Sequence, residues 1–364
     1  MESHQEGQRF TFLYQHESSA ERLLELGCQV EYVGCYTPLI TATVSSWKQM
    51  KQIERDPELV HVESERSLQL FPYELQKVYP KKRSVKTKQK GEVLPWNIRR
   101  VLRGQNRSFT GKGIKVGIID TGIDFSHPDL SQNIQGGVNI IEPGKPPHDA
   151  NGHGTHVSGV IGAAMNQYGI IGVAPDVSLY AIKVLNKKGV GSLSDLVRGI
   201  EWGIANNMDI LNISISGGKV SPVALEKAIQ AATRKGIFVV AAAGNAGQLS
   251  GKGDTVEVPA RVQNAIAVAA LSKNNKRASF SATGSSVDVA APGVKVVSTY
   301  PGMKYASLSG TSMAAAHVSG VLALFKQKHP KIGHAAILKR LFASTKVLSS
   351  SGRNSLTGHG LVQF

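Results

Sequence analysis

Three short stretches of this chain set reactive side chains among glycines and other small residues. Gly310-Thr311-Ser312-Met313-Ala314-Ala315-Ala316-His317-Val318 places a serine where a loop gives way to an apolar helix over residues 318–325. A hydroxyl at a helix N-terminus is held rigidly beside orphan backbone N–H groups that stabilise negative charge. Serine is also a good N-cap, so this stretch alone does not choose between capping and nucleophilic chemistry. A nucleophilic serine needs a base, a group that orients the base, and a donor for the oxyanion.

The other two stretches, upstream, offer those partners. Gly113-Ile114-Lys115-Val116-Gly117-Ile118-Ile119 reads as a buried parallel strand and ends in Asp120-Thr121-Gly122. A carboxylate at the carboxyl end of such a strand faces the crevice where open α/β sheets place their sites, although a turn-capping Asp would look the same. Asn151-Gly152-His153-Gly154-Thr155-His156-Val157-Ser158-Gly159 follows, with glycines that admit close backbone approach. His153 and His156, at i, i+3 and without the glutamate of a zinc-protease helix, make a poor metal signature. His156 reads as a packed helix residue.

Asp, His and Ser in that order, each in a glycine-rich motif, resemble the subtilases, the subtilisin-like serine peptidases. The resemblance runs from about residue 8 to the C-terminus and is carried by Asp120-Thr121-Gly122, His153-Gly154-Thr155-His156 and Gly310-Thr311-Ser312-Met313-Ala314. The order itself is recognised from subtilisin and not deduced from spacing. One position departs. The family normally has proline where Ala316 stands, inside what would be the first helical turn, so altered rigidity without loss of chemistry is expected.

The resemblance implies a serine endopeptidase that works through an acyl-enzyme. Ser312 would attack, His153 would take its proton and return it to the leaving amine, and Asp120 would fix the imidazole tautomer. Asn245, in Gly244-Asn245-Ala246-Gly247 after the apolar run 237–243, matches the family's oxyanion-hole asparagine. The Ser312 backbone N–H would join it. The lesser alternative for Asn245 is an Asn forming a tight turn.

Such peptidases lay an extended substrate between two strand-like edges, matched here by Gly189-Val190-Gly191 and Ser214-Ile215-Ser216-Gly217. Ser216 replaces a glycine common in the family and would crowd one subsite. Gly244 would wall the primary specificity pocket, and Glu257, counted back from Pro259, falls near its floor. A carboxylate there would favour Lys or Arg before the scissile bond; alternatively Glu257 faces solvent. Broad specificity is the principal expectation, with a basic-residue-selective processing peptidase as the alternative.

The family also implies a structural calcium ion. Asp129 and Asn166 match its side-chain ligands, and the carbonyls of Ala164, Tyr168 and Ile170 would complete an oxygen-rich site. Glu92 would add an oxygen where the family often has glutamine. A calcium-free loop with Asn166 in a turn is the alternative.

The surrounding pattern fits this chemistry. Residues 177–185 read as a strand, 186–191 as a loop, 192–208 as a helix, 209–215 as a strand and 222–235 as a helix. That alternation favours an α/β fold, a doubly wound parallel sheet with helices on both faces. About 270 residues after the N-terminal region suffice for one large core. No apolar run approaches the ~18 residues of a membrane span.

The N-terminal region reads as a small α+β unit, with strands over 9–14, 39–44 and 59–63 and helices over 19–26 and 47–55. Its order resembles the family's inhibitor propeptide, through Ala42-Thr43-Val44 and Asp56-Pro57-Glu58-Leu59-Val60-His61-Val62-Glu63-Ser64-Glu65. Such a segment templates folding and then occupies the active site until it is cut. Phe71 would enter the primary pocket, yet Pro72 follows, and proline after the scissile bond usually blocks cleavage in this family. The expected division is a propeptide over 1–71, a basic linker with processing sites over 72–91, and a catalytic domain over 92–364. Lys77, Lys81, Lys82, Arg83, Lys86, Lys88 and Lys90, with no acid over 76–90, read as a solvated flexible linker cut by this enzyme or another.

A formal charge of +16 invites a nucleic-acid reading. No nucleic-acid fold or aromatic–basic pattern accompanies it, so nucleic acid is not an expected partner. The charge fits the linker, solubility, or attraction to acidic polypeptides and anionic surfaces. The two cysteines, Cys28 and Cys35, fall in the N-terminal unit, so the catalytic part suits either redox compartment. Residues 1–9 are polar and lack the apolar core of a signal peptide. Location stays open between secreted, slightly favoured by the full-length propeptide, and cytoplasmic. Expected partners are polypeptide substrates and the chain's own propeptide, with the protein a monomer. An inactive subtilase-like binding protein is a further reading, opposed by the intact Asp120, His153, Asn245 and Ser312. A nucleotide-binding protein is opposed by the absence of G-x-G-x-x-G and by Asp120, which would repel phosphate.

Overall fold

The computed structural model describes residues 7–15, 20–80, 92–103, 108–350 and 352–364. The N-terminal module comprises β1 (Gln8–Tyr14), α1 (Ala20–Glu25), β2 (Gln29–Val33), β3 (Leu39–Val44), α2 (Trp47–Ile53) and β4 (Leu59–Ser64). Its four strands form an antiparallel sheet in the order β2-β3-β1-β4. Phe12, Tyr14, Leu23, Ile40 and Ile53 give it a hydrophobic core of its own.

Two strands then cross from this module onto the rest of the chain: β5 (Ser67–Leu70) and β6 (Glu74–Tyr79). Thus the first residues of the stretch expected as a flexible linker, Gln76 to Tyr79, belong to a strand. Charge counting hid the reason. Glu74-Leu75-Gln76-Lys77-Val78-Tyr79 alternates only weakly, and an open strand edge later in the chain supplies its partner. The basic residues 81–90, and any cleavage site among them, lie outside the described residues.

The rest of the chain contains α3 (Trp96–Leu102), β7 (Lys115–Asp120), β8 (Ile134–Asn139), α4 (His153–Gly162), β9 (Ser178–Lys183) and β10 (Val190–Ser192). It continues through α5 (Leu193–Ala205), β11 (Ile210–Ile213), β12 (Ile215–Ser216), α6 (Val223–Arg234), β13 (Phe238–Ala242) and β14 (Ala265–Leu271). It closes with β15 (Val287–Pro292), β16 (Val296–Tyr300), β17 (Lys304–Ser309), α7 (Thr311–Lys328) and α8 (His334–Ala343). Seven parallel strands form the central sheet in the order β15-β14-β13-β11-β7-β9-β8.

Unbroken apolar strands such as Phe238-Val239-Val240-Ala241-Ala242 arise because both sheet faces are covered. Phe238, Val240 and Ala242 pack in the core that also holds Val157, Val160, Val318 and Leu322 of α4 and α7. Val239 and Ala241 point the other way, toward Leu196, Ile200, Leu225 and Ile229 of α5 and α6. The expected doubly wound α/β fold is the fold observed. No helix among the described residues is long and apolar enough to cross a membrane.

Two local boundaries differ from expectation. The loop read over 186–191 ends in β10, because its backbone pairs with β5. Helix α7 begins at Thr311, well before the apolar run, with Gly310 as its N-cap and Ser312 in its first turn. Ser312 is therefore not the cap, and Ala316 falls in the second turn. The expectation of a first-turn position for Ala316 is corrected accordingly, since small residues extend the helix as well as apolar ones do.

Candidate active site

The carboxyl ends of β7, β11 and β13 and the N-termini of α4 and α7 meet at one crevice. Asp120 is the last residue of β7, and His153 is the first residue of α4. Both are fully buried, and His153 Nδ1 lies 2.9 Å from each Asp120 carboxylate oxygen. Thr121 N–H donates to Asp120 Oδ1 at 2.7 Å and fixes the carboxylate plane. An imidazole whose Nδ1–H is held by a carboxylate presents the Nε2 lone pair outward, as a general base requires. Ser312 is also fully buried. Its Oγ and His153 Nε2 are both without a hydrogen-bond partner among the described residues.

Sequence reasoning missed two groups that hold this arrangement. Asp149 accepts from Asn151 N and Gly152 N, both at 2.9 Å, and from the Thr121 hydroxyl at 2.9 Å. Its other oxygen accepts from Thr155 N at 2.9 Å and from the Thr155 hydroxyl. One buried carboxylate thus ties the Asp120 loop to the start of the His153 helix. An Asp just ahead of a helix is a capping signal that could have been read from the sequence. Lys183, buried at the end of β9, donates to the carbonyls of Thr121 and Leu185. Burial lowers its pKa, while the charges of Asp149 and Asp120 act to raise it. A lone lysine closing an apolar strand gave no distinctive signal.

Asn245 lies just beyond β13. Its Oδ1 accepts from Thr311 N at 2.9 Å and from the Thr311 hydroxyl at 2.8 Å. Both donors belong to α7, so they turn the amide NH₂ into the crevice, where Nδ2 donates to Pro72 O at 2.7 Å.

The chain's own β5 fills the crevice between the two expected substrate edges. Gln69 pairs with Val190 and Leu68 with Gly191 on one side, while Leu70 pairs with Ile215 and Gln69 with Ser216 on the other. Leu70 N–H donates to Gly189 O at 2.8 Å. Ser214 turns its hydroxyl inward to accept from Asn212 Nδ2 at 3.2 Å, and Gly217 N–H donates to Val258 O at 3.1 Å. Phe71 then enters a closed pocket and is 1% exposed. A Cβ built on Gly244 would stand in ordinary contact with Phe71 Cε1 at 3.4 Å and Glu257 Oε1 at 3.5 Å, and the residue's φ of +121° is what calls for glycine there. Glu257 is half-buried, and its Oε2 accepts from the Ser216 hydroxyl.

Past the pocket the chain stays on the crevice. The Tyr73 ring packs 5.1 Å from the His153 ring. Beyond it β6 adds antiparallel to β17, with Val78 opposite Ala306. The module itself sits on α5 and α6. Glu63 accepts from Ala224 N at 2.8 Å and Val223 N at 3.2 Å at the start of α6. Glu65 accepts from Ser194 N at 3.2 Å and from its hydroxyl at the start of α5. A carboxylate at a helix N-terminus satisfies orphan donors and opposes the helix dipole. Buried Glu201 of α5 reaches back to Tyr32 OH, the Thr37 hydroxyl and Cys35 N.

The expected metal ligands gather at a separate place. Asp129 is buried, with Oδ2 accepting from Ile170 N and Tyr305 OH, both at 2.9 Å. Its Oδ1 is buried without a partner. Burial above all, with a smaller push from the Glu92 charge, raises its pKa to about 6. Glu92 accepts from Asn166 N at 2.8 Å, and Asn166 Oδ1 accepts from Tyr168 N at 2.9 Å. Among the described residues no backbone N–H donates to the carbonyls of Ala164, Tyr168 or Ile170. No cluster of three or more His, Cys, Asp or Glu side chains forms among the described residues, so any cation here would depend on those carbonyls.

Comparison with known proteins defines the class. Residues 111–360 match the Subtilase family, and the chain belongs to that family. It is 48% identical over 275 residues to Subtilisin Savinase of Lederbergia lenta, covering 74% of this chain and 97% of that protein. An alkaline protease of Alkalihalobacillus alcalophilus is also 48% identical, over 74% of this chain and 69% of its own length. Subtilisin E of Bacillus subtilis (strain 168) is 39% identical over 95% of this chain and 85% of its own length, a match that takes in the N-terminal module. The protein is a serine endopeptidase.

Proposed function

We propose that this peptidase cleaves polypeptides through an Asp120-His153-Ser312 triad and is made as a zymogen inhibited by its own N-terminal segment. The observation that carries the reading is the buried His153 Nδ1 equidistant from both Asp120 oxygens, together with Ser312 buried in the first turn of α7. Ser312 attacks the substrate carbonyl as its proton passes to His153 Nε2, and Asp120 stabilises the imidazolium. The oxyanion takes hydrogen bonds from Asn245 Nδ2 and the Ser312 N–H, at the positive end of an 18-residue helix. The leaving amine takes the proton from His153. Water then repeats the sequence on the acyl-enzyme. A serine-directed phosphonylating reagent should label the activated protein once, at Ser312; an unlabelled but folded protein would refute the reading.

Asn245→Ala should lower kcat by about 10²–10³-fold, the scale established on subtilisin itself, with little change in KM. Steady-state kinetics on one peptide substrate checks it.

The N-terminal module, 1–71, acts as the inhibitor. Its β5 and Phe71 occupy the substrate edges and primary pocket, and its carboxylates cap α5 and α6. The connection through residues 72–91 is cut to release the catalytic part, 92–364. The pocket that takes Phe71 favours broad specificity. The half-buried carboxylate of Glu257 supports acceptance of basic residues as well. The enzyme works as a monomer.

A structural calcium ion fits the second site. The orphaned Asp129 Oδ1, the facing Glu92 carboxylate and the undonated carbonyls of Ala164, Tyr168 and Ile170 together make an oxygen set suited to Ca²⁺, with Asn166 Oδ1. Bound there, the ion would neutralise two carboxylates and tie the α4–β9 loop to the segment before α3. Chelator should lower the melting temperature by on the order of 10 °C, for a site held near 1,000 times its Kd. Asp129→Ala should abolish that sensitivity, as followed by calorimetry with and without added Ca²⁺.

A further inference from the structure

We propose that Ser216 sets the specificity of the primary pocket by holding the Glu257 carboxylate, so that one pocket accepts both aromatic and basic side chains. This rests on the reading of Glu257 as part of the pocket. A half-buried carboxylate set against an aromatic ring loses part of its water, at a cost unless its lone pairs are satisfied. Here Glu257 Oε1 and the Phe71 ring approach the same point over Gly244, at 3.5 and 3.4 Å. No lysine, arginine or histidine of the described residues pairs with Glu257. What it has is the Ser216 hydroxyl, donated to Oε2 from the strand that also pairs with β5.

That single donor explains how Phe71 fits. The hydroxyl satisfies one carboxylate oxygen from the pocket wall, while the other shares the space over Gly244 with the ring. A lysine side chain entering instead would bring its own three donors to Oε1, and a carboxylate can accept from both partners at once. The hydroxyl is therefore needed for an aromatic occupant and dispensable for a basic one. Glycine at position 216 would widen the edge but leave Glu257 without its partner when the pocket holds an apolar ring.

Fluorogenic peptides ending in Phe or Lys, assayed on the full-length chain after activation, separate these roles. The wild type should cleave both, with kcat/KM values within about tenfold. Ser216→Gly should lower kcat/KM for Phe about tenfold, the worth of one lost hydrogen bond to a charged group, and leave Lys within about twofold. Ser216→Thr should rescue Phe. Glu257→Gln should lower Lys by about 30–100-fold and spare Phe. In the Ser216→Gly/Glu257→Gln double variant Phe cleavage should recover, because no charge is left to satisfy. A second measurement needs no activity: in the uncut Ser312→Ala chain, Ser216→Gly should lower the melting temperature with Phe71 present, and not after Phe71→Lys. Equal loss of Phe and Lys cleavage in Ser216→Gly overturns the role of Ser216. Unchanged Lys cleavage in Glu257→Gln overturns the reading of Glu257 in the pocket.

Discussion

Ser312→Ala is expected to lower peptide hydrolysis by about 10⁶-fold, the scale established with subtilisin, a member of the same family. It should do so without loss of fold, since Ser312 Oγ makes no hydrogen bond to a described residue and alanine fits the first turn of α7. The same variant reports on maturation. If the chain processes itself, Ser312→Ala protein should accumulate uncut, and N-terminal sequencing should find only the original terminus. A variant trimmed like wild type would show that another protease makes the cut.

Pro72→Ala should have a large effect in the opposite direction. Asn245 Nδ2 donates to the carbonyl of Pro72, one residue beyond the pocket occupant Phe71. In a productive complex that donor would serve the carbonyl of the residue in the pocket. The fixed φ of proline and its missing N–H carry the chain across the crevice with the Phe71 carbonyl off the oxyanion donor. Tyr73 then covers His153. Alanine at 72 frees that torsion and lets the Phe71 carbonyl turn toward Asn245. Cleavage after Phe71 should then accelerate by about 10²-fold, the low end of what an oxyanion donor contributes. A time course of purified chain on gels, with sequencing of the new terminus, checks it. Processing at an unchanged site and rate would show that Pro72 does not protect the junction.

The two variants act on one physical circumstance: in the proposed reading, β5 and Phe71 lie along the crevice as a substrate would, but displaced in register. β5 is held on both sides by short strands, and Phe71 is sealed in its pocket. Affinity in such β-augmentation comes from backbone hydrogen bonds, which do not depend on where the scissile carbonyl falls. Tight binding and resistance to cleavage are therefore compatible.

Much of the site was legible in advance because its residues lie in short motifs at element ends. A buried parallel strand must be apolar throughout, so the one Asp closing Lys115–Asp120 stands out. Glycines around His153 and Ser312 mark places where backbones approach closely. Lys183 sits in no such motif, and the capping position of Asp149 was readable, but its tie to the Asp120 loop depends on which loop the fold brings to it. The strand Glu74–Tyr79 escaped for a related reason. Its alternation is weak, and a strand whose partner lies more than 200 residues away along the chain is specified by an available edge as much as by its own residues.

The sequence by itself determined the sheet-and-helix order, the motif residues and the family, because periodicity and short-range spacing are local properties of the chain. Only the tertiary structure decided that Asp149 joins the Asp120 loop to the His153 helix, that Ser216 partners Glu257, and that the Pro72 carbonyl occupies the Asn245 donor. Each of these is a contact between segments far apart in sequence. Its geometry follows from how packed elements meet, at distances of about 3 Å that no linear pattern encodes.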